Sequence, residues 1–408
     1  MADVRGYTIV TAAYWAFTLT DGALRMLVLL HFHALGYTPL DLAFLFGLYE
    51  FMGVITNFLG GWVGARFGLR LTLFAGIALQ MLALLMLSAV DPRWSLVLSV
   101  FTVMAAQALS GIAKDLTKMS AKSAIKGVIG EQQASGLLFR WVAMLTGSKN
   151  ALKGVGFFLG GALLTWVGFQ SALWGMAGML ACVLVCAVAS LRADLGKAKA
   201  QVTGRDLFSK TREINWLSAA RAFLFASRDV WFVVGVPIFL TSRLGWSFDQ
   251  VGAFMAAWVI GYGLVQAVVP RALPRTTNPE SAARSAKLWG AGLFLVPAAL
   301  AAAMTTAPSA GLLIGGLFVF GFVFAVNSAL HSYLIVAYSD ADTVALNVGF
   351  YYMANALGRL GGTLLSGLVY QVAGLGATLW VSAAMVAVAV LFTLPLTTRS
   401  RPPAPDMA

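Results

Sequence analysis

The sequence predicts an all-α integral membrane protein in which twelve transmembrane helices form two six-helix halves. Three observations predict this fold class: the composition, the number of long apolar runs and an internal repeat. The 408 residues are 60% hydrophobic and only 11% charged, whereas a soluble domain carries about 25% charged residues. No cleavable signal peptide is expected, because Met1–Gly6 leads directly into a long apolar run.

Twelve apolar runs are long enough to cross a bilayer. They lie near residues 8–33, 40–64, 71–90, 94–113, 141–166, 170–191, 216–240, 248–269, 288–304, 311–338, 344–372 and 375–396. A polar stretch separates the first six runs from the last six. We therefore expect an N-terminal half at 1–191, a cytoplasmic central loop at 192–215, a C-terminal half at 216–398 and a cytoplasmic tail at 399–408.

The positive charges are distributed unevenly among the predicted loops. If both termini are cytoplasmic, the inner segments hold 20 of the 28 Lys and Arg residues, and the outer loops hold only Arg93 and Arg243. Basic residues concentrate on the cytoplasmic side of membrane proteins, so this distribution predicts cytoplasmic termini. It also accounts for the net charge of +12, and no nucleic acid partner is expected.

The two halves resemble each other in sequence. LGYTPLDLAF at 35–44 corresponds to LGWSFDQVGAF at 244–254, and NALKG at 150–154 corresponds to NALGR at 355–359. Such pairs recur at offsets of 205–209 residues. A parallel six-helix repeat is typical of transporters that move two halves around a site at the middle of the membrane.

Neither an enzyme nor a cofactor is expected. The sequence contains no H-x-x-x-x-D motif, no paired metal ligands and no nucleophile elbow, which argues against a membrane-embedded enzyme such as an acyltransferase. Cys182 and Cys186 lie four residues apart on one predicted helix and are expected to be small packing residues. We therefore predict no catalytic residue and no metal site.

The twelve spans, the repeat of six and the basic central loop resemble the major facilitator superfamily. Gly60–Arg70, GGWVGARFGLR, is similar to the G-x-x-x-D-R-x-G-R-R gating motif of that superfamily. Ala65 stands where the motif has Asp, and Leu69 also departs from it. These two departures put in doubt the charge lock that the Asp usually forms between helices.

Longer stretches resemble a narrower group, the bacterial organoarsenical efflux permeases. The stretches are YWAFTLTDGALRMLVLLHFHALGYTPL at 14–40, SGIAKDLTKMSAKSAIK at 110–126, LTGSKNALKGVGFFLGG at 145–161 and residues 205–240. The resemblance covers most of residues 10–270. It implies export of 1-arseno-3-phosphoglycerate across the bacterial inner membrane, arsenate resistance, and functional pairing with an arsenate-using glyceraldehyde-3-phosphate dehydrogenase.

Charged residues inside the predicted spans indicate a cavity for an anion. The excess of three positive charges is costly in a bilayer unless a visiting anion or water compensates for it. The basic residues are Arg25, Lys149, Lys153, Arg221, Arg228 and Arg359, and the acidic residues are Asp21, Glu50 and Asp229.

The predicted substrate-binding residues centre on the fifth and eleventh spans. Lys149 and Lys153 lie one helical turn apart and are expected to face the cavity; the alternative is that they snorkel to the inner interface. Arg359 aligns within one residue of Lys153 in the repeat, and its planar fork suits an oxyanion. Glycines at 154, 156, 160 and 161 are expected to let a neighbouring helix approach closely. The full predicted set is Arg25, Lys149, Asn150, Lys153, Arg228, Tyr351, Asn355 and Arg359.

Asp21, Glu50 and Asp229 are the predicted proton-coupling residues. Asp21 and Arg25 can pair within the first helix, either as a structural pair or as one that opens when Arg25 binds substrate and Asp21 takes a proton. Arg228 and Asp229 point about 100° apart and are not expected to pair; one of them is expected to meet the other half. Glu50 has no cation one turn away, which suits a proton carrier or a protonated acid bonded to a neighbouring helix.

A basic stripe follows the fourth span. Lys114, Lys118, Lys122 and Lys126 recur every four residues. We expect them to contact inner-leaflet lipid; the alternative is that they capture anions at the inner mouth.

The predicted function is secondary active export of a small organic anion by alternating access, with proton antiport as the coupling. The rival function is proton-coupled export of another organic anion or of a drug. A drug exporter is expected to have an aromatic, acidic cavity.

Overall fold

The computed structural model describes residues 4–91, 93–129, 135–191, 211–272, 279–306, 309–339 and 344–396, apart from the side chains of 4–5, 60–69, 122–129, 135–147, 270–272 and 344–346. Within the described residues, regular secondary structure is entirely helical. The helices are α1 (Val4–Ala34), α2 (Pro39–Ser88), α3 (Leu96–Ile129), α4 (Ser135–Trp166), α5 (Phe169–Ser190), α6 (Arg212–Phe232), α7 (Gly235–Ser242), α8 (Phe248–Ala272), α9 (Pro279–Thr306), α10 (Ala310–Ala337) and α11 (Val344–Thr393).

Each of the twelve predicted spans corresponds to helical structure, but not one to one. α2 contains the second and third spans, α11 contains the eleventh and twelfth, and α6 with α7 forms the seventh. Gly374 interrupts α11 with a φ of 73°, which glycine adopts without steric cost. α6 begins at Arg212, inside the segment expected to be the central loop.

Two regions of α2 pack against the same part of α3. A Cβ added at Gly111 would lie 3.2 Å from Cα of Tyr49, and one added at Gly76 would lie 3.0 Å from the carbonyl oxygen of Ala113. Thr72 also bonds Ser120 at 2.7 Å. The first part of α2, which contains Tyr49, therefore runs parallel to α3. The later part of α2, which contains Thr72 and Gly76, runs antiparallel to α3, as two successive spans must.

Nine segments of the described residues are long and apolar enough to cross a membrane. The last of them, Asn347–Thr393, has 47 residues and is long enough to cross twice. α1 and α4 are not among the nine. Both carry charged residues in their middle, and these side chains lower the hydropathy of the two helices.

Several helices begin with side-chain caps. The Thr38 hydroxyl accepts from the backbone of Asp41, whose carboxylate accepts from the backbone of Thr38, so the two residues form a capping box at the start of α2. The Thr211 hydroxyl caps α6 by accepting a hydrogen bond from the backbone N–H of Ile214. These caps fix where α2 leaves the turn after α1 and where the C-terminal half begins.

Glycines of α4 let it pack closely against α1. A Cβ added at Gly156 would lie 2.5 Å from the carbonyl oxygen of Leu19, and one added at Gly22 would lie 2.7 Å from that of Lys153. Backbone atoms occupy this space, so only glycine fits at either position. The close approach predicted for the α4 glycines is confirmed, and it places Lys153 beside the middle of α1.

The two halves contact each other closely at one end of the molecule. His33 Nε2 lies 2.9 Å from Ser242 Oγ, and Leu40 N donates to Gln371 Oε1 at 3.0 Å. A Cβ added at Gly161 of α4 would lie 2.9 Å from the carbonyl carbon of Phe248, at the start of α8. These contacts lie where α1 ends and α2 begins, which is the periplasmic end if the termini are cytoplasmic.

Candidate substrate-binding site

A cavity of about 140 Å³ lies between α1, α2, α3, α4 and α11, and it extends from the middle of the molecule toward the α1 N-terminus. Five of its lining residues are basic and three are acidic. Four helices of the N-terminal half form most of the wall, and α11 supplies the wall from the C-terminal half. The lining residues are Tyr14, Phe17, Thr18, Asp21, Glu50, Asn57, Lys114, Asp115, Lys118, Lys149, Lys153, Tyr352, Asn355, Ala356 and Arg359.

Arg359 joins the two halves at the deep end of this cavity. Its Nη2 lies 2.5 Å from Glu50 Oε1, on α2 of the N-terminal half. Its Nε donates to Asp229 Oδ2 at 3.2 Å, on α6 of its own half. An oxyanion that binds Arg359 must therefore compete with two carboxylates, one from each half.

The expectation that Glu50 lacks a fixed cation is wrong. Arg25 Nη2 bonds Glu50 Oε1 directly, and Arg359 bonds the same oxygen. Both partners come from other helices, which the i±3 and i±4 positions of α2 do not show. Two guanidinium groups bond this carboxylate, so the argument for Glu50 as a proton carrier, which depended on an acid without a fixed partner, no longer applies.

Asp21 and Arg25 do not form the expected pair within α1. Arg25 turns to Glu50 and lies over the rings of Phe46 and Tyr49, at 5.3 and 5.1 Å from their centroids. Asp21 instead accepts a hydrogen bond of 2.6 Å from the Tyr49 hydroxyl. The Arg25 guanidinium therefore bonds Glu50 of α2, and the Asp21 carboxylate also bonds α2, through Tyr49.

Lys149 and Lys153 both line the cavity, as expected. Lys153 Nζ lies 3.9 Å from Asp21 Oδ2, and 5.8 Å from the centroid of the Phe157 ring. A separation of 3.9 Å is too long for a hydrogen bond. The ammonium therefore has an ion-pair partner but keeps donors available for a ligand in the cavity.

Arg228 and Asp229 do bond each other, contrary to expectation. Arg228 Nε donates to Asp229 Oδ1 at 2.6 Å. Their side chains leave the helix in different directions, but the long Arg side chain curls back. The Arg228 guanidinium then lies 4.8 Å from the ring centroid of Phe225 and 5.6 Å from that of Phe324, away from the cavity. The contact with the other half that was expected of this pair is made instead by Arg359.

Tyr351, Asn355 and Arg359 share a face only in part. Asn355 and Arg359 line the cavity, whereas Tyr351 is buried in the C-terminal half and its neighbour Tyr352 lines the cavity. Each step of four residues turns the side chain by about 40°. Over the eight residues from Arg359 back to Tyr351 this drift carries Tyr351 off the cavity face.

Asn150 and Arg221 lie outside the cavity lining. Asn150 Nδ2 donates to Gln266 Oε1 at 3.5 Å, joining α4 to α8. Arg221 is 3% exposed, and its Nη1 donates to Ser328 O at 3.1 Å and Ser328 Oγ at 2.9 Å. It also stacks 4.1 Å from the centroid of Phe225. Within the described residues no carboxylate pairs with Arg221.

Two lysines of the basic stripe belong to the cavity, so lipid contact was the wrong expectation for Lys114 and Lys118. Lys114 Nζ lies 4.1 Å from the centroid of the Tyr49 ring. Lys118 donates to Asn57 Oδ1 and Asp115 Oδ1, each at 2.8 Å. The alternative, anions met at the inner part of the cavity, fits both residues. The side chains of Lys122 and Lys126 lie outside the described part of the chain.

Asp115, Asn57 and Tyr49 are cavity-region residues that sequence reasoning missed. Asp115 is fully buried and bonds Thr56 at 2.5 Å as well as Lys118. An acid between two lysines at the end of an apolar run was the available signal. Asn57 and Tyr49 carry no charge, and nothing in the sequence marks them.

The remaining expectations concern metals and the gating motif. Among the described residues no group of three His, Cys, Asp or Glu side chains could hold a metal ion. Cys182 and Cys186 are exposed on α5, so the prediction that they are small packing residues is wrong. The motif at 60–70 lies almost wholly outside the residues whose side chains are described.

The sequence profile of the Major Facilitator Superfamily matches residues 10–278 and 217–407. The chain belongs to this superfamily. Its members are transporters, so the expectation of a transporter, and not of an enzyme, is confirmed. No curated protein matches the chain.

Solved structures of this superfamily share the fold. A D-xylose–proton symporter superimposes with a TM-score of 0.73 at 12% identity, covering 96% of this chain and 98% of the symporter. The nucleoside transporter NupG gives 0.72 at 14% identity, covering 96% and 98%. The human organic anion transporter MFSD10 (TETRAN) gives 0.65 at 18% identity, covering 96% and 100%. At these identities the similarity establishes the fold, and the substrate has to be argued from the cavity.

Proposed function

We propose that this transporter exports a small, multiply charged organic anion from the cytoplasm by alternating access, and that the anion is 1-arseno-3-phosphoglycerate. The observation that carries the proposal is the excess of basic over acidic residues on the cavity wall. Desolvated cations in excess are costly unless an anion compensates them. Of the solutes after which the three solved relatives are named, an organic anion suits this wall best.

Competition for Arg359 supplies a mechanism for alternating access. In this structure Arg359 pairs with Glu50 of the opposite half. An oxyanion that takes the guanidinium fork weakens this pair, while Arg25 remains with Glu50 and Arg228 remains with Asp229. No acid is then left without a cation. Substrate binding thus changes the balance of contacts between the halves, which is what a ligand must do to shift a two-state equilibrium.

The choice of 1-arseno-3-phosphoglycerate rests on the sequence resemblance to organoarsenical efflux permeases. Phosphate and arsenate oxyanions both suit a guanidinium fork and several ammonium groups. The proposed physiological setting is the inner membrane of a bacterium, where an arsenate-using glyceraldehyde-3-phosphate dehydrogenase makes the ester that the transporter removes. A drug exporter is disfavoured, because the cavity carries more basic than acidic side chains.

We include proton coupling in the proposal, through Asp21. Glu50 and Asp229 are each bonded to two guanidinium groups. Asp21 has only the Tyr49 hydroxyl and a lysine 3.9 Å away. Of the three acids predicted to carry a proton, Asp21 therefore has the fewest contacts with cations.

Inverted membrane vesicles test the proposed substrate. The dehydrogenase, NAD⁺, arsenate and glyceraldehyde 3-phosphate are supplied outside the vesicles, so that NAD⁺ accepts the hydride as the ester forms, and arsenic is measured inside them. We expect accumulation that needs both the dehydrogenase and the transporter, and that Lys153→Gln and Arg359→Gln abolish. Arg93→Gln, at an exposed position outside the cavity, is the matched control and should transport normally.

Two outcomes would contradict the proposal. Accumulation no greater than in vesicles without the transporter would reject export of this ester. Uptake of arsenic in the absence of the dehydrogenase would identify inorganic arsenate as the substrate. In cells the proposal requires that expression protects against arsenate only when the dehydrogenase is also expressed.

A further inference from the structure

Arg221 of α6 is a buried cation, and no carboxylate pairs with it among the described residues. Four of the other five basic residues within the spans do pair with an acid. The nearest acids on α6 are Glu213 and Asp229, each eight residues away, which is about 12 Å of helix. Asp229 also already bonds two guanidinium groups. Since Arg221 is 3% exposed, neither an acid of the described chain nor bulk water compensates its charge.

The polar groups that contact Arg221 are neutral and belong to α8 and α10. Arg221 Nη1 donates to the carbonyl oxygen of Ser328 at 3.1 Å and to its hydroxyl at 2.9 Å. Gln266 Nε2 donates to the same hydroxyl at 3.2 Å. The Tyr262 hydroxyl lies 3.3 Å from it. Ser328 Oγ is therefore the point at which α6, α8 and α10 meet.

This cluster has more hydrogen-bond donors than acceptors. A guanidinium group has five N–H donors and no acceptor, and the buried Arg221 Nε has no partner among the described residues. Ser328 Oγ accepts from Arg221 and Gln266, which uses both of its lone pairs, so its own proton points to Tyr262 and the Tyr262 proton remains to be donated. His331, three residues after Ser328 on α10, lies close enough to Arg221 to interact electrostatically. Its buried Nδ1 also lacks a partner among the described residues, so the cluster suits an anion.

Aromatic rings limit the size and the charge of such an anion. The rings of Phe225 and Tyr351 lie 4.1 and 5.0 Å from the Arg221 guanidinium carbon, and Trp258 stacks on Tyr262. One guanidinium group among neutral walls balances one negative charge. Tyr262 is half-buried, so the cluster reaches accessible surface along α8.

We propose that Arg221, Tyr262, Ser328 and His331 form a second anion site, within the C-terminal half, for a monovalent anion of the size of chloride. None of the four lines the cavity between the halves, so this site is separate from the proposed substrate site. The inference does not depend on which organic anion the transporter exports.

Gln266 connects this second site to the N-terminal half. Its amide nitrogen donates to Ser328, and its amide oxygen accepts from Asn150 of α4 at 3.5 Å. An anion that orders Ser328 and Gln266 therefore also favours the contact between α4 and α8. Binding at Arg221 thus stabilises the arrangement of the two halves in this structure.

Thermal melting of the purified full-length transporter tests the site. Sodium chloride is compared with sodium gluconate, whose anion is too large for the site, at equal ionic strength. Chloride should raise the melting temperature by about 2 °C, because a ligand that binds only the folded protein stabilises it. Arg221→Gln should remove this shift, and Tyr262→Phe should require about tenfold more chloride for it.

Two matched controls lie away from the cluster. Arg93→Gln removes an exposed guanidinium group, and Tyr370→Phe removes the hydroxyl of a half-buried tyrosine that packs beside Gly235 of α7. Both should keep the full chloride shift. If Arg221→Gln fails to fold, Tyr262→Phe and the location of the ion decide the result.

Bromide locates the ion directly. Crystals of the parent protein grown in sodium bromide should show an anomalous scattering peak beside Arg221 and Tyr262. Equal melting temperatures in chloride and gluconate, a shift that persists in Arg221→Gln, or bromide found only in the cavity between the halves would each overturn the site. Any of these results leaves export of the ester standing, and failure of that export in vesicles leaves the chloride site standing.

Discussion

Glu50 of α2 and Arg359 of α11 belong to different halves of the transporter and are joined at 2.5 Å. Arg359 also bonds Asp229, and Asp229 bonds Arg228. With Arg25 on the other side of Glu50, five charged groups alternate in sign across the boundary between the halves. Three of them are positive and two are negative, so the chain of ion pairs as a whole is cationic.

This arrangement predicts that Arg359→Gln folds but binds the substrate poorly. Glu50 keeps Arg25 and Asp229 keeps Arg228, so no acid is left unpaired in the interior. A hydrogen bond to a charged group contributes about 1.5–3 kcal/mol, so anion affinity should fall by roughly 10- to 100-fold. Arg359→Lys should also be impaired, because an ammonium cannot form the forked contact.

The measurement is anion binding to purified protein, with the melting temperature as a check on folding. Arg93→Gln is the control, since its salt bridge with Asp91 is exposed. Unchanged affinity in Arg359→Gln would show that Arg359 is a structural link and not part of the binding site.

The apolar runs and the charge excess made much of the molecule predictable. A run long enough to cross a bilayer predicts a helix, because unpaired backbone groups are not tolerated in lipid. An excess of positive charge within the spans predicts a cavity for an anion, because uncompensated charges are also costly in lipid. Lys149, Lys153 and Arg359, chosen on these grounds, do line one cavity.

The partners of those charges could not be predicted, since helix periodicity relates only residues of one helix. Glu50 meets cations from α1 and α11, and neither lies near it in sequence. Arg228 bonds its own neighbour because a long side chain can fold back. Lys118 enters the cavity because α3 packs along α2, which its four-residue spacing does not reveal.

The contact between α1 and α4 predicts a position-specific effect of adding one methyl group. In Gly156→Ala the new Cβ would lie 2.5 Å from Leu19 O and 3.0 Å from Ala23 N. Both are backbone atoms, so the helices must separate, at a cost of about 1–3 kcal/mol. We expect a lower melting temperature in detergent and weaker anion binding, since Lys153 would move away from α1.

Gly175→Ala is the matched control on α5. A Cβ there meets nothing within 4 Å, and alanine favours helix over glycine by up to about 1 kcal/mol. Its melting temperature should equal or exceed that of the parent. If Gly156→Ala also melts at or above the parent temperature, the close packing of α1 on α4 is wrong.

The distribution of basic residues predicts the orientation of the transporter. Reporter fusions at Arg93 and Arg243 should give periplasmic signals, and a fusion at Lys199 a cytoplasmic signal, because basic residues concentrate on the cytoplasmic side. With this orientation the cavity opens toward the cytoplasm, the side from which an exporter takes its substrate. A periplasmic signal at Lys199 would reverse the proposed direction of loading.

The contact between Asp21 and Lys153 predicts the sign of proton coupling. An anion that draws Lys153 away leaves the buried Asp21 carboxylate beside a negative ligand, and both changes favour its protonation. Binding should therefore take up a proton, and anion affinity should fall as pH rises. Anion and proton then leave the cytoplasm together, so an inward proton gradient would not drive this export. Other titratable groups near Asp21 are Tyr14, Tyr49 and Lys114.

Calorimetry in buffers of different ionisation enthalpy measures the number of protons that binding takes up. The parent protein should take up protons on binding, and Asp21→Asn should take up fewer, with a weaker pH dependence of affinity. Glu50→Gln should still take up protons, because Glu50 is already held by two guanidinium groups. Antiport, the coupling expected from the sequence, requires the opposite sign, since the substrate must then expel the proton. Proton release on binding would support antiport and reject the role assigned to Asp21, whereas uptake that Asp21→Asn abolishes would establish that anion and proton bind together.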